Sequence, residues 1–488
     1  MKVIAMYLPQ FHRIPENDEW WGEGFTEWAA VRNAKPLFEG QNQPRVPLDE
    51  RYYDLLDKKT MIWQSELMHK YGVDGMCIYH YWFKDGRRIL EKPAENLLGW
   101  KDIDMPFCLC WANETWARSW SGLKGKNIWA DKFEKKNENS KDILLEQKYG
   151  MEDAWEQHFD YLCKFFQDER YIKIDGKPLF LIYKTNTITR IDEMISFWRD
   201  RARKMGFPDI YVIGGEAENT PESILDANLI KQPLCGGKGV KAEKKNGVTI
   251  KYYDDIWDNI IKSKYNEKSY YAGVVGFDDT PRRGSNGYAI LGGNPDKFGR
   301  YLSLLMKKNR KNGKEITFIN AWNEWGEGMQ LEPDQKYGYG YLEQINYSKE
   351  CLLKGSNLDF TEKEIKPANK DTFYLEMLSK WMSMRESGIH IDSFFEENRF
   401  KKIAIYGYSL FATHLINELK DSDIKIKYII DKKDIKCSLP LYRIDDKKPE
   451  VDAVVVCSFY FYKEIYSDLK NVGVKKIISL ENVINELS

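Results

Sequence analysis

The chain has 488 residues, of which 14% are aromatic, and its 74 Lys and Arg residues balance 75 Asp and Glu residues to a formal net charge of −1. This length exceeds that of one ordinary domain and predicts a large domain with a smaller one beside it. The balanced charge excludes the strongly basic class of protein and gives no electrostatic reason to expect nucleic acid or an anionic membrane as a partner.

The cysteines and the N-terminal segment bear on the compartment. The eight Cys residues are scattered, without a CxxC pair or a Cys and His cluster, which predicts reduced thiols and no metal site. The apolar run at the N-terminus is too short for a signal peptide, and no segment is apolar over the length that spans a bilayer. We therefore expect a cytoplasmic protein without a transmembrane helix.

Eight short apolar segments, rich in β-branched and aromatic residues, have the character of strands that are buried on both faces. They are Val3–Tyr7, Gly75–Tyr81, Pro106–Trp111, Leu179–Tyr183, Ile210–Gly214, Ala227–Ile230, Tyr271–Gly276 and Ile316–Ala321. Amphipathic helices are predicted between several of them, at Tyr53–Tyr71, Ala154–Asp168, Ile191–Lys204, Ile256–Lys262 and Lys297–Lys308. This alternation predicts an α/β fold, and specifically a (β/α)8 TIM barrel.

Polar and aromatic side chains accumulate just past the predicted strands, where the loops of such a barrel converge on a substrate. The candidate substrate-binding residues are His12, Trp20, Trp21, Glu27, Trp28, His80, Tyr81, Trp111, Asn113, Glu114, Tyr183, Glu216, Arg282, Trp322, Asn323 and Trp325. Aromatic faces and carboxylates of this kind suit a carbohydrate. The 16 Trp residues, nearly all in the first two-thirds of the chain, agree with that, although a large core would also accommodate them.

Several of these candidates have a structural alternative. His12 and His80 are as well explained by a packed core as by contact with a sugar hydroxyl group, and the tryptophans of the first long loop can pack that loop. Arg282 and Arg283 can cap a helix or pair with Asp278 and Asp279, and the sequence favours this structural role slightly over the binding of a phosphate.

The last predicted strand leads into Ala321–Gly328, AWNEWGEG, which places two glutamates among two tryptophans and two glycines. Two carboxyl groups in different environments divide into a proton donor and a base. Indole rings desolvate a neighbouring carboxyl group, and glycines permit a sharp turn close to a ligand. This pattern predicts Glu324 and Glu327 as a catalytic pair.

The stretch AWNEWGEGMQLEP resembles the signature of the WbsX-like family of polysaccharide-biosynthesis proteins, which is related to glycoside hydrolase family 99, the endo-α-mannosidase family. The blocks Tyr7–His12, Trp20–Trp28 and Asp279–Arg283 are similar to that family as well, so the resemblance covers about the first 350 residues. It implies a (β/α)8 barrel. We expect no cofactor. The resemblance also implies that Glu324 removes the proton of the sugar 2-OH and that Glu327 is the general acid, in a retaining reaction through a 1,2-anhydro sugar.

Residues 399–488 repeat a strand–turn–helix pattern that predicts a small Rossmann-like domain. Its nucleotide fingerprint is degraded, because Gly407 is followed by Ser409 and Ala412 where glycines are expected, although Asp431 has the spacing of a ribose-binding acid. We predict a structural or partner-binding role here. The predicted division is residues 1–355 for the catalytic barrel, 356–398 for a helical linker and 399–488 for the Rossmann-like domain.

Three functions fit these observations. The first is a retaining glycosidase or transglycosylase that acts on an α-linked, mannoside-like bond of an oligosaccharide or polysaccharide, free or lipid-linked. The second is a glycosyltransferase of lipopolysaccharide or capsule synthesis, which a cytoplasmic location favours. The third is a non-catalytic glycan-binding scaffold. The sequence does not identify the sugar, its linkage or the oligomeric state.

Overall fold

The computed structural model of the chain describes residues 1–117, 143–217, 220, 223–264, 267–353, 370–432, 435, 437–459 and 462–487. The chain divides into two compact units, Met1–Asp359 and Phe360–Ser488. The predicted boundary between residues 355 and 356 lies outside the described residues, and the three-part division stays a prediction.

A nearly closed sheet of nine parallel segments forms the centre of the first unit. In chain order the segments are β1 Lys2–Tyr7, β2 Gly75–Trp82, β3 Phe107–Trp111, β4 Lys177–Ile182, β5 Tyr211–Gly214, β6 Ala227–Ile230, β7 Ser269–Tyr271, β8 Gly273–Val274 and β9 Ile316–Asn320. Their order in the sheet is β7-β6-β5-β4-β3-β2-β1-β9-β8. Because β7 and β8 are halves of one run, this run connects both ends of the sheet and gives it the form of a barrel.

The interruption between β7 and β8 has a side-chain cause. Asn309 is fully buried and bonds both backbone groups of Tyr271: its Oδ1 accepts from Tyr271 N at 3.1 Å, and its Nδ2 donates to Tyr271 O at 3.0 Å. A helix residue thus satisfies the backbone groups of Tyr271, at the point where pairing with β6 ends and pairing with β9 begins. All eight predicted strand regions are strands in the structure, and the seventh is the one that divides.

Ten helices of the first unit are described. They are α1 Pro15–Trp21, α2 Glu27–Asn33, α3 Lys58–Lys70, α4 Lys92–Gly99, α5 Glu152–Phe166, α6 Ile191–Lys204, α7 Tyr253–Lys262, α8 Thr280–Arg283, α9 Pro295–Lys311 and α10 Gly340–Leu353. The five helices predicted between strands correspond to α3, α5, α6, α7 and α9. Each turns its apolar face to the sheet, as α9 does with Phe298, Leu302 and Leu305.

Short strands accompany the barrel. Arg88–Ile89 and Lys173–Ile174 pair with β2 and β4, Trp116–Ala117 pairs with Ile143–Leu145, and Glu243–Lys245, Val248–Tyr252 and Tyr288–Leu291 form a three-stranded sheet. After β9, Asn323–Glu324 and Met329–Gln330 form an antiparallel pair, which is called the β9 hairpin below.

The second unit is built on a five-stranded parallel sheet. Its strands are β10 Lys402–Tyr406, β11 Lys425–Ile430, β12 Leu441–Tyr442, β13 Ala453–Val456 and β14 Ile477–Ser479, in the order β12-β11-β10-β13-β14. Its helices are α11 Lys370–Glu386, α12 Asp392–Glu397, α13 Leu410–Glu418, α14 Tyr462–Asn471 and α15 Leu480–Leu487. Ile403 and Ile405 belong to one hydrophobic cluster, Ala404 and Tyr406 to another, so both faces of the sheet are covered. The Rossmann-like assignment stays a prediction.

Two further properties bear on the sequence predictions. None of the eight cysteines forms a disulfide bond. Within the ranges given above, no helix combines the length and the apolar character that crossing a bilayer requires.

Candidate active site

The β9 hairpin carries both predicted catalytic glutamates. Glu324 ends the first strand of the hairpin, residues Trp325–Glu327 form a single helical turn, and Gly328 has a left-handed backbone with φ of 63°. Gly326 has no room for a side chain, because an added Cβ would collide with Glu27 Oε1. The two glycines therefore allow the turn that brings both carboxyl groups to one cavity.

The cavity has a volume of about 510 Å³, which lies within the range of small-molecule sites. Of the residues proposed from the sequence, those that line it are Trp21, Glu27, Tyr81, Glu114, Tyr183, Arg282, Glu324 and Glu327. The structure thus brings together side chains from the loops or ends of six strands that are far apart in the sequence. The cavity has aromatic and charged walls, as a carbohydrate site requires.

Arg282, on the short helix α8, connects three carboxyl groups. Its Nε donates to Glu27 Oε1 at 2.8 Å and its Nη2 to Glu324 Oε2 at 3.3 Å, while its Nη1 bonds Glu327 Oε1. The predicted pairing of the two arginines with Asp278 and Asp279 is therefore wrong for Arg282. It is found for Arg283, which pairs with Asp279 at 3.1 Å.

The two catalytic candidates differ in environment. The Glu324 side chain is 9% exposed and that of Glu327 is 26% exposed. Burial and the negative charge of Glu327 raise the pKa of Glu324 to about 8, against the opposing effect of Arg282. Two carboxyl groups in unequal environments are what acid/base catalysis needs.

A second charged group at the cavity centres on Lys231, a residue that sequence reasoning missed. Its Nζ donates to Glu216 Oε1 at 2.7 Å and lies 3.3 Å from the centre of the Tyr183 ring. Lys184 joins this group through Glu114 at 2.6 Å and Glu216 at 3.6 Å. Burial lowers the pKa of Lys231. Glu216 thus supports a cavity residue without lining the cavity itself.

One signal in the sequence would have found Lys231. It directly follows β6, and the residue after a strand was the criterion for the other candidates. Tyr79 and Asp279, which also line the cavity, were missed as site residues too. Burial raises the pKa of Asp279 to about 6.

Four residues proposed as substrate contacts around the β9 hairpin lie in the core instead. Trp322 and Trp325 are fully buried and donate to Glu332 at 2.9 and 2.7 Å. Trp28 packs on Trp325, with ring centres 5.6 Å apart. Asn323 bonds Leu8 N at 2.8 Å and Leu8 O at 3.0 Å. These side chains hold the hairpin in place and do not reach the cavity.

Five further candidates are also placed away from the cavity. His12 is buried and bonds Pro9 O at 2.8 Å through Nδ1, and Trp20 packs on Trp116, a cavity residue, at 5.8 Å. His80 contacts His158, Nε2 to Nε2, at 2.9 Å. Its neighbours Tyr79 and Tyr81 line the cavity, so the alternation along β2 turns His80 to the other face.

The remaining two are Trp111 and Asn113. The Trp111 indole donates to Trp82 O at 3.1 Å, and the residue lines a separate cavity of about 200 Å³. The Asn113 side chain bonds the backbone N and O of Lys184 at 2.8 and 2.7 Å. Both side chains therefore connect parts of the barrel, and neither lines the candidate site.

In the second unit, side chains of the protein accept hydrogen bonds from the backbone of the turn between β10 and α13. Tyr408 N donates to Asp431 Oδ2 at 2.8 Å, and Ser409 caps α13 by accepting from Ala412 N. Asp431, which has the spacing of a ribose-binding acid, thus bonds the turn that a pyrophosphate would contact. A carboxylate at this place would repel a pyrophosphate.

Residues 3–345 match the model of the family described as Glycosyltransferase WbsX. Two curated relatives, from two strains of Xanthomonas campestris pv. campestris, are each 33% identical over 354 residues, which are 70% of this chain and 48% of the relative. Both are named "Uncharacterized protein WxcX". The chain therefore spans about half the length of the curated relatives that it matches.

Solved structures with a similar fold are more distant. The endo-alpha-mannosidase of glycoside hydrolase family 99 from Bacteroides thetaiotaomicron is 15% identical with a TM-score of 0.44, over 72% of this chain and 97% of that chain. A "Glycoside hydrolase-like protein" is 13% identical with a TM-score of 0.43, over 71% of this chain and 93% of that chain.

Proposed function

The chain belongs to the family described as Glycosyltransferase WbsX, and on that premise we propose that it is a carbohydrate-active enzyme that cleaves or transfers α-linked, mannoside-like glycosyl units in cell-surface polysaccharide metabolism. The observation that supports the proposal most is the meeting of Glu324 and Glu327 at one cavity through Arg282. Two carboxyl groups of unequal burial are the minimum for acid/base chemistry at a glycosidic bond.

The proposed reaction has two steps. In the first, Glu324 takes the proton of the sugar 2-OH as O2 attacks C1, and the bond from C1 to the leaving oxygen breaks while Glu327 protonates that oxygen. In the second, Glu327 takes a proton from water or from an acceptor hydroxyl group, which attacks C1 as the C1–O2 bond breaks, and Glu324 returns its proton to O2. Each carboxyl group ends in its starting state, and the anomeric configuration is retained.

The donor we propose is an uncharged glycoside and not a nucleotide sugar. Three cations line the cavity, and each already has a carboxylate partner: Lys231 has Glu216, Arg282 has three glutamates and Arg283 has Asp279. A diphosphate is bound by unpaired cations or free backbone N–H groups, and neither Lys nor Arg in the described wall of the cavity is unpaired. Five acidic side chains in the same wall would repel it.

A series of leaving groups tests the roles of the two glutamates. The substrates are aryl α-manno-oligosaccharides whose phenols range from poor to good leaving groups. Glu327→Gln should lose about 10²- to 10⁴-fold in rate with poor leaving groups and little with good ones, because good ones need no acid. Glu324→Gln should lose rate with all of them. Glu39→Gln, at an exposed position, is the control.

The reverse pattern would assign the acid role to Glu324, which the raised pKa of Glu324 favours, and would overturn the roles given above. Full turnover in both variants would overturn the catalytic role of the two glutamates. Binding of the glycan with unchanged affinity but without turnover in any variant would overturn the enzyme proposal and leave a glycan-binding scaffold.

The family description supports a second candidate, transfer from a nucleotide sugar in the same cavity. Incubation with α-mannan oligosaccharides separates the two. Release of reducing ends, or elongation of an acceptor without any nucleotide, is expected from the glycoside reaction. Elongation that occurs only when a nucleotide sugar is added would establish the transferase instead.

A further inference from the structure

Glu332 is a buried carboxylate at the end of the signature stretch, and the proposed reaction does not use it. Only 2% of the residue is exposed. Its Oε1 accepts from Gln64 Nε2 at 2.7 Å and from Trp322 Nε1 at 2.9 Å. Its Oε2 accepts from Tyr53 Oη at 2.8 Å and from Trp325 Nε1 at 2.7 Å. Both oxygens are thus satisfied by two donors each.

The four donors connect three parts of the first unit. Gln64 lies on α3, and Tyr53 precedes that helix. Trp322 and Trp325 flank Glu324 on both sides in the sequence. Tyr53 also accepts from Asn323 Nδ2 at 3.4 Å. Of residues 322–325, three have side chains that are tied to this network, and only Glu324 extends into the cavity.

Glu332 has no cationic partner among the residues that the structure describes, since its four hydrogen bonds come from neutral groups. An ionised carboxylate without a cation is costly in a core, and four hydrogen-bond donors offset that cost. Burial raises the pKa of Glu332 to about 7 against the opposing effect of the four donors. A neutral amide would present an N–H₂ group to two of these donors, so the site is built for a carboxylate.

We infer that Glu332 is a positioning residue for the catalytic pair. By fixing the indoles of Trp322 and Trp325, it sets the direction of the backbone from which Glu324 extends toward Arg282 and Glu327. This inference rests on the proposed function, since it concerns the same two glutamates. It predicts that a change at Glu332 acts on the chemical step more than on substrate binding.

The test compares two isosteric variants, Glu332→Gln and Asp334→Asn. Asp334 is the matched control, because it is buried in the same segment and accepts from Tyr337 N at 2.7 Å and Gln330 Nε2 at 3.1 Å but touches neither indole. With an aryl α-manno-oligosaccharide, Glu332→Gln should lower kcat by about 10²-fold with little change in KM, the size expected for a small misplacement of catalytic groups. Asp334→Asn should keep kcat within about threefold. Glu332→Asp should recover part of the loss.

Two results would overturn the inference. One is a kcat for Glu332→Gln within about threefold of wild type, measured well below its melting temperature. The other is an equal loss of kcat in both variants at equal destabilisation, which would make the role purely structural.

A second readout does not depend on turnover. Infrared difference spectra between proteins with and without Glu324→Gln report the titration of the Glu324 carboxyl group. In the Glu332→Gln background its pKa should move away from about 8. An unchanged titration overturns the inference. Absence of turnover in the wild type, with a shifted titration, overturns the proposed function alone.

Discussion

A single guanidinium group governs the charge of the candidate site. Arg282 contacts Glu27, Glu324 and Glu327, so one positive charge faces three carboxyl groups. Glu27 is the most buried of the three, with a side chain that is 3% exposed. Arg282 therefore lowers the pKa of Glu324 against the effects of burial and of Glu327.

Replacement of Arg282 by Ala should abolish most of the activity and destabilise the first unit by about 3 kcal/mol, because it leaves buried carboxylates without their partner. Arg283→Ala is the matched neighbour. Its side chain is 48% exposed and pairs only with Asp279, so we expect a loss of less than about 1 kcal/mol. Urea unfolding and the rate on an α-manno-oligosaccharide measure both. Equal effects of the two variants would contradict the central role of Arg282.

At the scale of the element, the β9 hairpin is the part that converts a barrel strand into a reactive site. β9 itself is buried and apolar, and it pairs with β1 and β8. The hairpin then reverses within Trp325–Glu327, which places residues 324 and 327 on the same side. The close packing of this turn on α2 explains why the turn contains a glycine at position 326.

A methyl group at position 326 should disrupt the site from the backbone. In Gly326→Ala the new Cβ collides with Glu27 Oε1, so Glu27 must leave Arg282. We expect a rate loss of at least about tenfold and a destabilisation of about 1–3 kcal/mol, the usual range for overpacking. The rate and the urea midpoint report these effects.

Gly99→Ala is the control for this substitution, since Gly99 closes α4 with open space around its Cα. It should be neutral or stabilising by up to about 1 kcal/mol. Wild-type rate and stability in Gly326→Ala would show that the turn can relax and would contradict the packing argument.

At the scale of the whole molecule, several buried acids make stability depend on pH in one direction. Burial raises the pKa to about 8 for Glu324, about 7 for Glu332 and about 6 for Asp279. The folded state therefore binds these protons more tightly than the unfolded state. The free energy of unfolding contributed by these groups falls as the pH rises from about 4 to about 8.

Glu324→Gln should weaken this dependence, because the amide stays neutral at every pH. The variant should lose less stability than wild type between pH 5 and pH 8, by up to a few kcal/mol, since one pKa unit corresponds to about 1.4 kcal/mol. Tryptophan fluorescence during urea unfolding reports on the first unit, because only Trp381 lies in the second. The exposed Glu39→Gln should follow the wild-type curve. Parallel curves for Glu324→Gln and wild type would contradict the raised pKa.

The sequence alone determined the elements and indicated the candidate catalytic pair. Short apolar runs alternating with amphipathic segments predict parallel strands and helices, because burial on both faces or on one face leaves a direct trace in residue order. Glu324 and Glu327 were found for a similar reason, since a motif keeps their environment within a few positions. The seventh strand is one apolar run in the sequence. Its division into β7 and β8 was not predicted, because Asn309, whose side chain bonds Tyr271, is remote in the sequence.

The tertiary structure decided which side chains reach the cavity. Trp322 and Trp325 come after β9 and His80 lies near the end of β2, just as Tyr183 comes at the end of β4. The first three face the core, because a shift of one residue along a strand turns a side chain to the other face. Contacts between residues distant in the sequence also set the roles of Arg282, Lys231 and Glu332, whose partners lie in other elements. Their pKa values and functions come from three-dimensional neighbours, which residue order does not record.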